Sequence, residues 1–195
     1  MHITRTPPAW NDASRFLCCH VARLRDADIV LVDGFPVTSP VRTALDLARS
    51  VSHEPAVVML DAALHGGLLS ADALRDRLPG LLGVAGSRAA ARAVAASDGR
   101  SESVGESRSR VALHRLGLAP SHLQLEVTTA DGHRVARADF AWRGARLVGE
   151  FDGRIKYGRL LRPGQDPGDA VFEEKRREDA IRDEGWGVVR WTWSD

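Results

Sequence analysis

The segment from Arg137 to Tyr157, RADFAWRGARLVGEFDGRIKY, limits the fold most, because three acidic residues interrupt two apolar runs with a strand-like pattern. A short polar stretch joins the runs, which predicts an antiparallel hairpin. With Gly144–Ala145 at the tip in a type II′ turn, Asp139 lies directly opposite Glu150. Asp152 is two residues further along and projects from the same face as Glu150.

Three carboxylates on one patch of a sheet repel each other, and removal from water adds to the cost. A divalent cation removes this repulsion, and oxygen ligands of this kind suit Mg²⁺ or Mn²⁺. In the alternative interpretation, the acids face solvent or pair with neighbouring arginines such as Arg137 and Arg154. The spacing is compatible with both.

Two lysines and one further acid are candidates for the same site. Lys156 follows the second run and is placed to reach back and stabilise a developing anion, and Lys175 on the next helix is an alternative source of that charge. Each lysine also fits an ordinary surface position. Glu106 fits the third helical position of a capping box that begins at Ser103, and it is also a candidate outer ligand of a metal or water.

The rest of the chain predicts an α/β architecture of the α+β kind. Residues 1–98 are expected to form a mainly helical region with a small β element, in which Asp33-Gly34 predicts a tight turn and Ser39 and Ser70 are N-cap candidates. The polar stretch 97–103 is expected to be a linker. Residues 99–195 predict a helix, three strands, a loop over 158–170, a charged helix and a final strand, which together give a mixed sheet flanked by helices.

Composition excludes several classes of protein. The net charge is only +1 in 195 residues, so nucleic-acid binding would have to use local patches. No apolar run is long enough to span a membrane, and the start MHITRTPPAW lacks the pattern of a signal peptide. Cys18 and Cys19 are adjacent and lack metal-site spacing, as do the seven histidines. A membrane partner is not expected, and a reducing cytoplasm is the predicted compartment.

Four segments in the second half carry a family resemblance. GESRSRVALHRLGL, ADFAW, LVGEFDGRIKY and EKRREDAIRDEGWGVVRWTW together resemble actinobacterial domain-of-unknown-function proteins related to very-short-patch-repair endonucleases, which have the PD-(D/E)XK nuclease-like fold. DGFPVTSPVRTALDLARS resembles the middle region of AbiEi-like antitoxin or regulator proteins. Those relatives usually carry an N-terminal winged helix-turn-helix, and the sequence is expected to start after it.

The nuclease resemblance implies a role for each acid. Glu106 corresponds to the helix acid, Asp139 to the motif aspartate and Glu150 to the second acid, with Asp152 at the position where the family has a lysine. Lys156 or Lys175 would have to substitute for that lysine. The implied function is a metal-dependent DNA endonuclease or nickase.

Asp152 at the position where the family has a lysine favours functions other than nuclease activity. The alternative is a non-catalytic, antitoxin-like regulator that binds DNA or a toxin, and a third possibility is a degenerate domain that acts as an interaction scaffold.

Overall fold

The computed structural model describes residues 1–153 and 167–195, and it confirms the α+β class. In these ranges the strands are β1 (His2–Arg5), β2 (Asp12–Ala13), β3 (Cys18–Val21), β4 (Ile29–Val32), β5 (Phe35–Thr38), β6 (His122–Thr128), β7 (Arg134–Trp142), β8 (Leu147–Phe151) and β9 (Gly187–Trp191). The helices are α1 (Pro40–Ala48), α2 (His53–His65), α3 (Ala71–Arg77), α4 (Ser87–Ala96), α5 (Val104–Arg115) and α6 (Pro167–Asp183). None of the helices in these ranges combines the length and hydrophobicity needed to cross a bilayer.

Two small sheets occupy the first 38 residues, so this region has more β structure than the sequence indicates. One sheet has the order β1-β3-β2, with β1 parallel and β2 antiparallel to β3. The other is the antiparallel β4–β5 hairpin. Its turn residues Asp33 and Gly34 have φ values of 50° and 81°. Both positive values fit a type I′ turn, and the tight turn expected from Asp-Gly is confirmed.

Four helices then build the first core. The Ser39 side chain accepts a hydrogen bond from the Arg42 backbone N–H and caps α1, and Ser70 caps α3 in the same way, as the sequence predicts. The apolar stripe of α1 is buried. The fully buried leucines and valine of this core are Leu45, Val57, Leu60 and Leu74.

The second half forms a four-stranded mixed sheet in the order β6-β7-β8-β9. The pairs β6–β7 and β7–β8 are antiparallel, and β9 runs parallel to β8. Helices α5 and α6 lie on opposite faces at β8, because Phe151 faces Gly105 of α5 whereas the preceding Glu150 contacts Arg177 of α6. A flanked mixed sheet of this kind is what the sequence predicts.

The tip of the β7–β8 hairpin differs from the expected turn. Residues Arg143–Ala145 form a 3-10 turn, and Arg146 has a φ of 50° instead of pairing across a type II′ turn. The register is nevertheless the expected one, with Phe140 opposite Gly149 and Trp142 opposite Leu147. The tip holds an even number of residues, so the strands keep the same phase.

The loop expected over 158–170 is only partly described. Residues 154–166 lie outside the described residues. Helix α6 begins at Pro167, so the last four residues of the expected loop are helical.

Helix α5 contributes to both halves of the molecule. Val111 belongs to the first core, whereas Gly105 lies so close to Phe151 that a Cβ atom on it would be 2.0 Å from the aromatic ring. The helix is tied to α2 through Asp61, whose carboxylate accepts hydrogen bonds from Arg110 Nη2 at 2.6 Å and from the Asp98 backbone N–H at 2.7 Å. The Asp61 side chain is fully buried.

Removal of the Asp61 carboxylate is expected to destabilise the whole fold. Asp61→Ala leaves the guanidinium of Arg110 buried without its counter-charge, which costs about 3–5 kcal/mol of unfolding free energy in comparable pairs. The matched control is Asp72→Ala, since Asp72 forms a 2.7 Å ion pair with Arg75 on the surface of α3. This control is expected to cost less than about 1 kcal/mol. Urea unfolding measures both, and equal losses would contradict the structural role of the Asp61–Arg110 pair.

Candidate functional site

Two of the four predicted acids, Asp139 and Glu150, lie in a row of residue positions that crosses the mixed sheet. Gln124 of β6 lies opposite Asp139, because the flanking residues pair as Leu123 with Phe140 and Leu125 with Ala138. The β7–β8 register continued by one residue brings Asp139 opposite Glu150. Glu150 pairs with Arg190 of β9. The row therefore contains one amide, two carboxylates and one guanidinium, and we call it the polar row.

The side chain of Asp139 accepts a hydrogen bond from the backbone of the neighbouring strand β8. Its Oδ2 atom accepts a hydrogen bond of 2.9 Å from the Phe151 backbone N–H. Asp152 follows β8, and its backbone N–H donates to the Trp191 carbonyl at 2.8 Å. The Asp139 side chain thus lies against the end of β8, where Glu150 and Asp152 flank Phe151 in the chain, and all three acids are partly buried.

Glu150 is neutralised by two arginines of the protein itself. Its Oε2 atom accepts hydrogen bonds from Arg177 Nη2 at 2.6 Å and from Arg190 Nε at 3.0 Å. Both guanidinium groups also bond Glu174 on α6. We call Glu150, Glu174, Arg177 and Arg190 the arginine clamp. The arginine suggested by the sequence alternative, Arg137, instead pairs with Glu102 at 2.7 Å, and Arg154 lies outside the described residues.

The clamp changes the ionisation of its members. Burial opposes the charge on Glu174, but the hydrogen bonds and positive charges of Arg177 and Arg190 outweigh it and lower the pKa of that carboxyl. Burial likewise opposes the charge on Arg177, and the two carboxylates of Glu174 and Glu150 raise its pKa above the ordinary arginine value. Both shifts favour the charged forms of Glu174 and Arg177 at neutral pH.

Glu106 is occupied at the start of α5. Its backbone N–H donates to Ser103 Oγ at 3.1 Å, and its carboxylate accepts from Ser103 Oγ and from the Glu102 backbone N–H. The cap that the sequence predicts is thus confirmed. The carboxylate also accepts a hydrogen bond of 2.9 Å from Gln124 Nε2, which connects it to the polar row.

The other predicted site residues are not drawn into one cluster. Lys175 is exposed on α6, and Lys156 lies outside the described residues. None of the predicted acids Glu106, Asp139, Glu150 and Asp152 belongs to a set of three ligand atoms within 4.8 Å of each other in the described part of the chain. The assignment of Mg²⁺ or Mn²⁺ to these acids stays a prediction.

Sequence reasoning missed three members of this region. Gln124, Arg177 and Arg190 are distant from the acids along the chain. For Arg190, a usable signal exists, because a charged residue interrupts the apolar strand GVVRW just as Glu150 interrupts LVGEF.

A second surface of interest is an apolar face of the β4–β5 hairpin. Val30 pairs with Val37 and Val32 with Phe35, so the four side chains share one face. We call these four residues the hairpin face. All four are exposed, and Phe35 is the most exposed at 71%. Exposed apolar patches of this kind mark interaction surfaces in folded proteins.

Comparison with known proteins gives a partial family match in the first half of the chain. Residues 12–96 match the family model of the AbiEi antitoxin C-terminal domain, which covers less than half of the chain. Two proteins of Mycobacterium tuberculosis are each 28% identical over 158 residues: uncharacterized protein Rv2248 of strain ATCC 25618 / H37Rv and uncharacterized protein MT2308 of strain CDC 1551 / Oshkosh. The alignment covers 81% of this chain and 55% of each relative, so the chain spans about half the length of these relatives. No solved structure matches.

These comparisons support one of the two resemblances. The AbiEi match contains the segment DGFPVTSPVRTALDLARS and ends close to the expected boundary at residue 98. Nothing in them supports a relation of residues 99–195 to very-short-patch-repair or PD-(D/E)XK nucleases.

The arginine clamp predicts an acid-sensitive contribution to stability. A lowered carboxyl pKa in the folded state stabilises the fold above the ordinary glutamate pKa of about 4.3, and this contribution is lost as the pH falls through the folded value. Glu174→Gln is expected to lower the unfolding free energy at pH 7 by at most about 1 kcal/mol, because the carboxylate is more than one-third exposed and solvent screens it. The difference from wild type is expected to shrink below pH 4.

Chemical denaturation between pH 7 and pH 3 measures this difference. The control is Glu126→Gln, which removes an exposed carboxylate that lies 3.5 Å from Arg134 on the opposite edge of the sheet. The control is expected to change stability little at any pH. A Glu174→Gln difference that is constant across the range would contradict the role of the clamp.

Proposed function

We propose that this chain is a non-catalytic, antitoxin-like regulator that binds a toxin protein through the hairpin face. The observation that carries the proposal is the position of this exposed apolar face within residues 12–96, the part that matches the AbiEi antitoxin C-terminal domain. Binding of a toxin requires a recognition surface and no turnover.

The shape of the hairpin suits a protein partner. Both strands are edge strands of a two-stranded sheet, so their outer backbone groups are available for pairing with a strand of a partner. The hairpin face adds a branched and aromatic surface, and an aromatic residue such as Phe35 is a frequent anchor of protein interfaces. A net charge of +1 gives no general attraction to DNA, which favours a protein partner over DNA.

The polar row also favours a role without turnover. The second acid of the nuclease pattern, Glu150, already has Arg177 and Arg190 as counter-charges, and the family's lysine position holds Asp152. A carboxylate whose charge is neutralised in this way acts as a structural element of the sheet.

The test is complex formation with the product of the gene adjacent to that of this chain. Co-expression is expected to restore growth when that product alone arrests growth, and the two purified proteins are expected to co-elute in gel filtration. Phe35→Asp is expected to weaken binding by about 2 kcal/mol or more, roughly thirtyfold, because it places a charge in the centre of an apolar interface. Calorimetry measures the affinity.

The matched control is Leu82→Asp, which adds the same charge at an apolar residue that is 80% exposed and lies outside the hairpin. It is expected to bind as tightly as wild type. Failure of the two proteins to associate would refute the toxin-binding function, and equal affinities of Phe35→Asp and wild type would refute the assigned surface. Binding to DNA from upstream of the gene, without a protein complex, would replace the toxin by DNA as the partner.

A second candidate function is the metal-dependent endonuclease or nickase, and one observation favours it. Glu150 Oε1, Asp152 Oδ1 and Gln124 Oε1 are buried acceptor oxygens without a hydrogen-bond partner among the described contacts. Unsatisfied buried oxygens are costly, and a bound Mg²⁺ or Mn²⁺ ion would satisfy those of Glu150 and Asp152. In that function Asp139 and Glu150 hold the ion with support from Asp152 and Glu106, and Lys156 or Lys175 supplies the cation.

A plasmid-nicking assay with Mg²⁺ or Mn²⁺ tests the second candidate. In the nuclease function, wild-type protein nicks supercoiled DNA, and Asp139→Ala and Glu150→Ala each abolish nicking, whereas Glu126→Ala keeps it. In the antitoxin-like function, which we favour, no variant nicks above background. Metal-dependent nicking by wild type that Glu150→Ala abolishes would therefore overturn the non-catalytic assignment.

A further inference from the structure

The small sheet β1-β3-β2 brings together three side chains that can ligate a metal. His2 pairs with Cys18 and Thr4 with His20 in the parallel β1–β3 ladder, so the side chains of His2, Cys18 and His20 lie on one face. One ligand atom from each lies within 4.8 Å of the other two. The two imidazoles are stacked, and His2 Nδ1 is 2.9 Å from His20 Nε2.

We propose that His2, Cys18 and His20 form a Zn²⁺ site that links β1 to β3. One thiolate and two imidazoles are a typical zinc ligand set, and water takes the fourth position of the tetrahedron. A tetrahedral ion with bonds of roughly 2.0–2.3 Å separates its ligand atoms by about 3.3–3.7 Å, so the three groups need to move by only about 1 Å. The site is independent of the toxin-binding function.

Binding changes the protonation of the ligands in a defined way. The thiol of Cys18 loses its proton to solvent and binds as thiolate. The hydrogen bond between the imidazoles is replaced, because the donor ring shifts its proton to the other nitrogen and both facing nitrogens then present lone pairs. Cys18 is a free thiol and is partly exposed, so an ion reaches it from solvent.

The sheet has a structural need for such a link. Among residues 1–21 only Cys19 is buried, whereas Trp10 and Phe16 are 78% and 74% exposed. The sheet thus lacks an apolar core of its own, and β2 has only two residues. Small units without a sufficient core are commonly stabilised by a metal or a disulfide.

The test is titration of the full chain, freed of metal with a chelator, with ZnCl₂ in a calorimeter. One ion per chain is expected, and Zn²⁺ is expected to raise the melting temperature. Cys18→Ser and His20→Gln are each expected to weaken binding more than about tenfold, because even the loss of an outer partner of a ligand costs 10–100-fold. The matched controls, Cys19→Ala for the thiol and His133→Gln for an exposed histidine, are expected to bind like wild type.

Substitution with Co²⁺ gives a second readout that does not depend on variants. A sulfur-to-cobalt charge-transfer band is expected in the wild-type chain, and its absence there would overturn the proposal. This readout holds even if Cys18→Ser fails to fold, as its circular-dichroism signal would show. Zn²⁺ affinity unchanged by Cys18→Ser or by His20→Gln in a folded variant would place the ion elsewhere and also overturn it. Loss of the band in Cys18→Ser, with the band kept in Cys19→Ala, supports the site.

Discussion

The buried ion pair between Asp61 of α2 and Arg110 of α5 is the interaction on which the rest of the structure depends. It fixes α5 against the first helical core, and α5 in turn presents Gly105 to the sheet and carries Ser109, which accepts a hydrogen bond from the Trp191 indole. Removal of either charge alone leaves the other charge in the interior without a counter-charge. The helical half and the sheet half are therefore coupled through one helix, whichever half binds the partner.

The same electrostatic rule explains the polar row. A carboxylate inside a sheet needs a cation, and here the fold supplies two guanidinium groups from α6 and β9 to Glu150. The two guanidinium groups supply to Glu150 the positive charge that a divalent ion would supply in a nuclease. Two buried acceptor oxygens, Glu150 Oε1 and Asp152 Oδ1, still lack a hydrogen-bond partner among the described contacts.

Local patterns predicted much of the fold. The Asp33–Gly34 turn, the caps of α1, α3 and α5 and the β7–β8 register were accessible because each depends on residues that are close in sequence. Contacts between distant segments were not accessible. Arg177 and Arg190 meet Glu150 across 27 and 40 residues, and the parallel β1–β3 pairing brings His2 beside Cys18, although the spacing along the chain gave no sign of a metal site.

The parallel pairing of β9 with β8 has a consequence for the order in which the protein forms on the ribosome. The Trp191 indole bonds Ser109 across 82 residues, and Arg190 reaches Glu150 across 40. Helices α1 to α4 pack against each other within residues 40–96, so they can assemble while the later segments are still being translated. Until residues 187–191 emerge from the exit tunnel, β8 is an unprotected edge and Glu150 lacks one of its two arginines. The nascent chain thus passes through a stage in which the β8 edge is unpaired, and this stage ends when β9 docks.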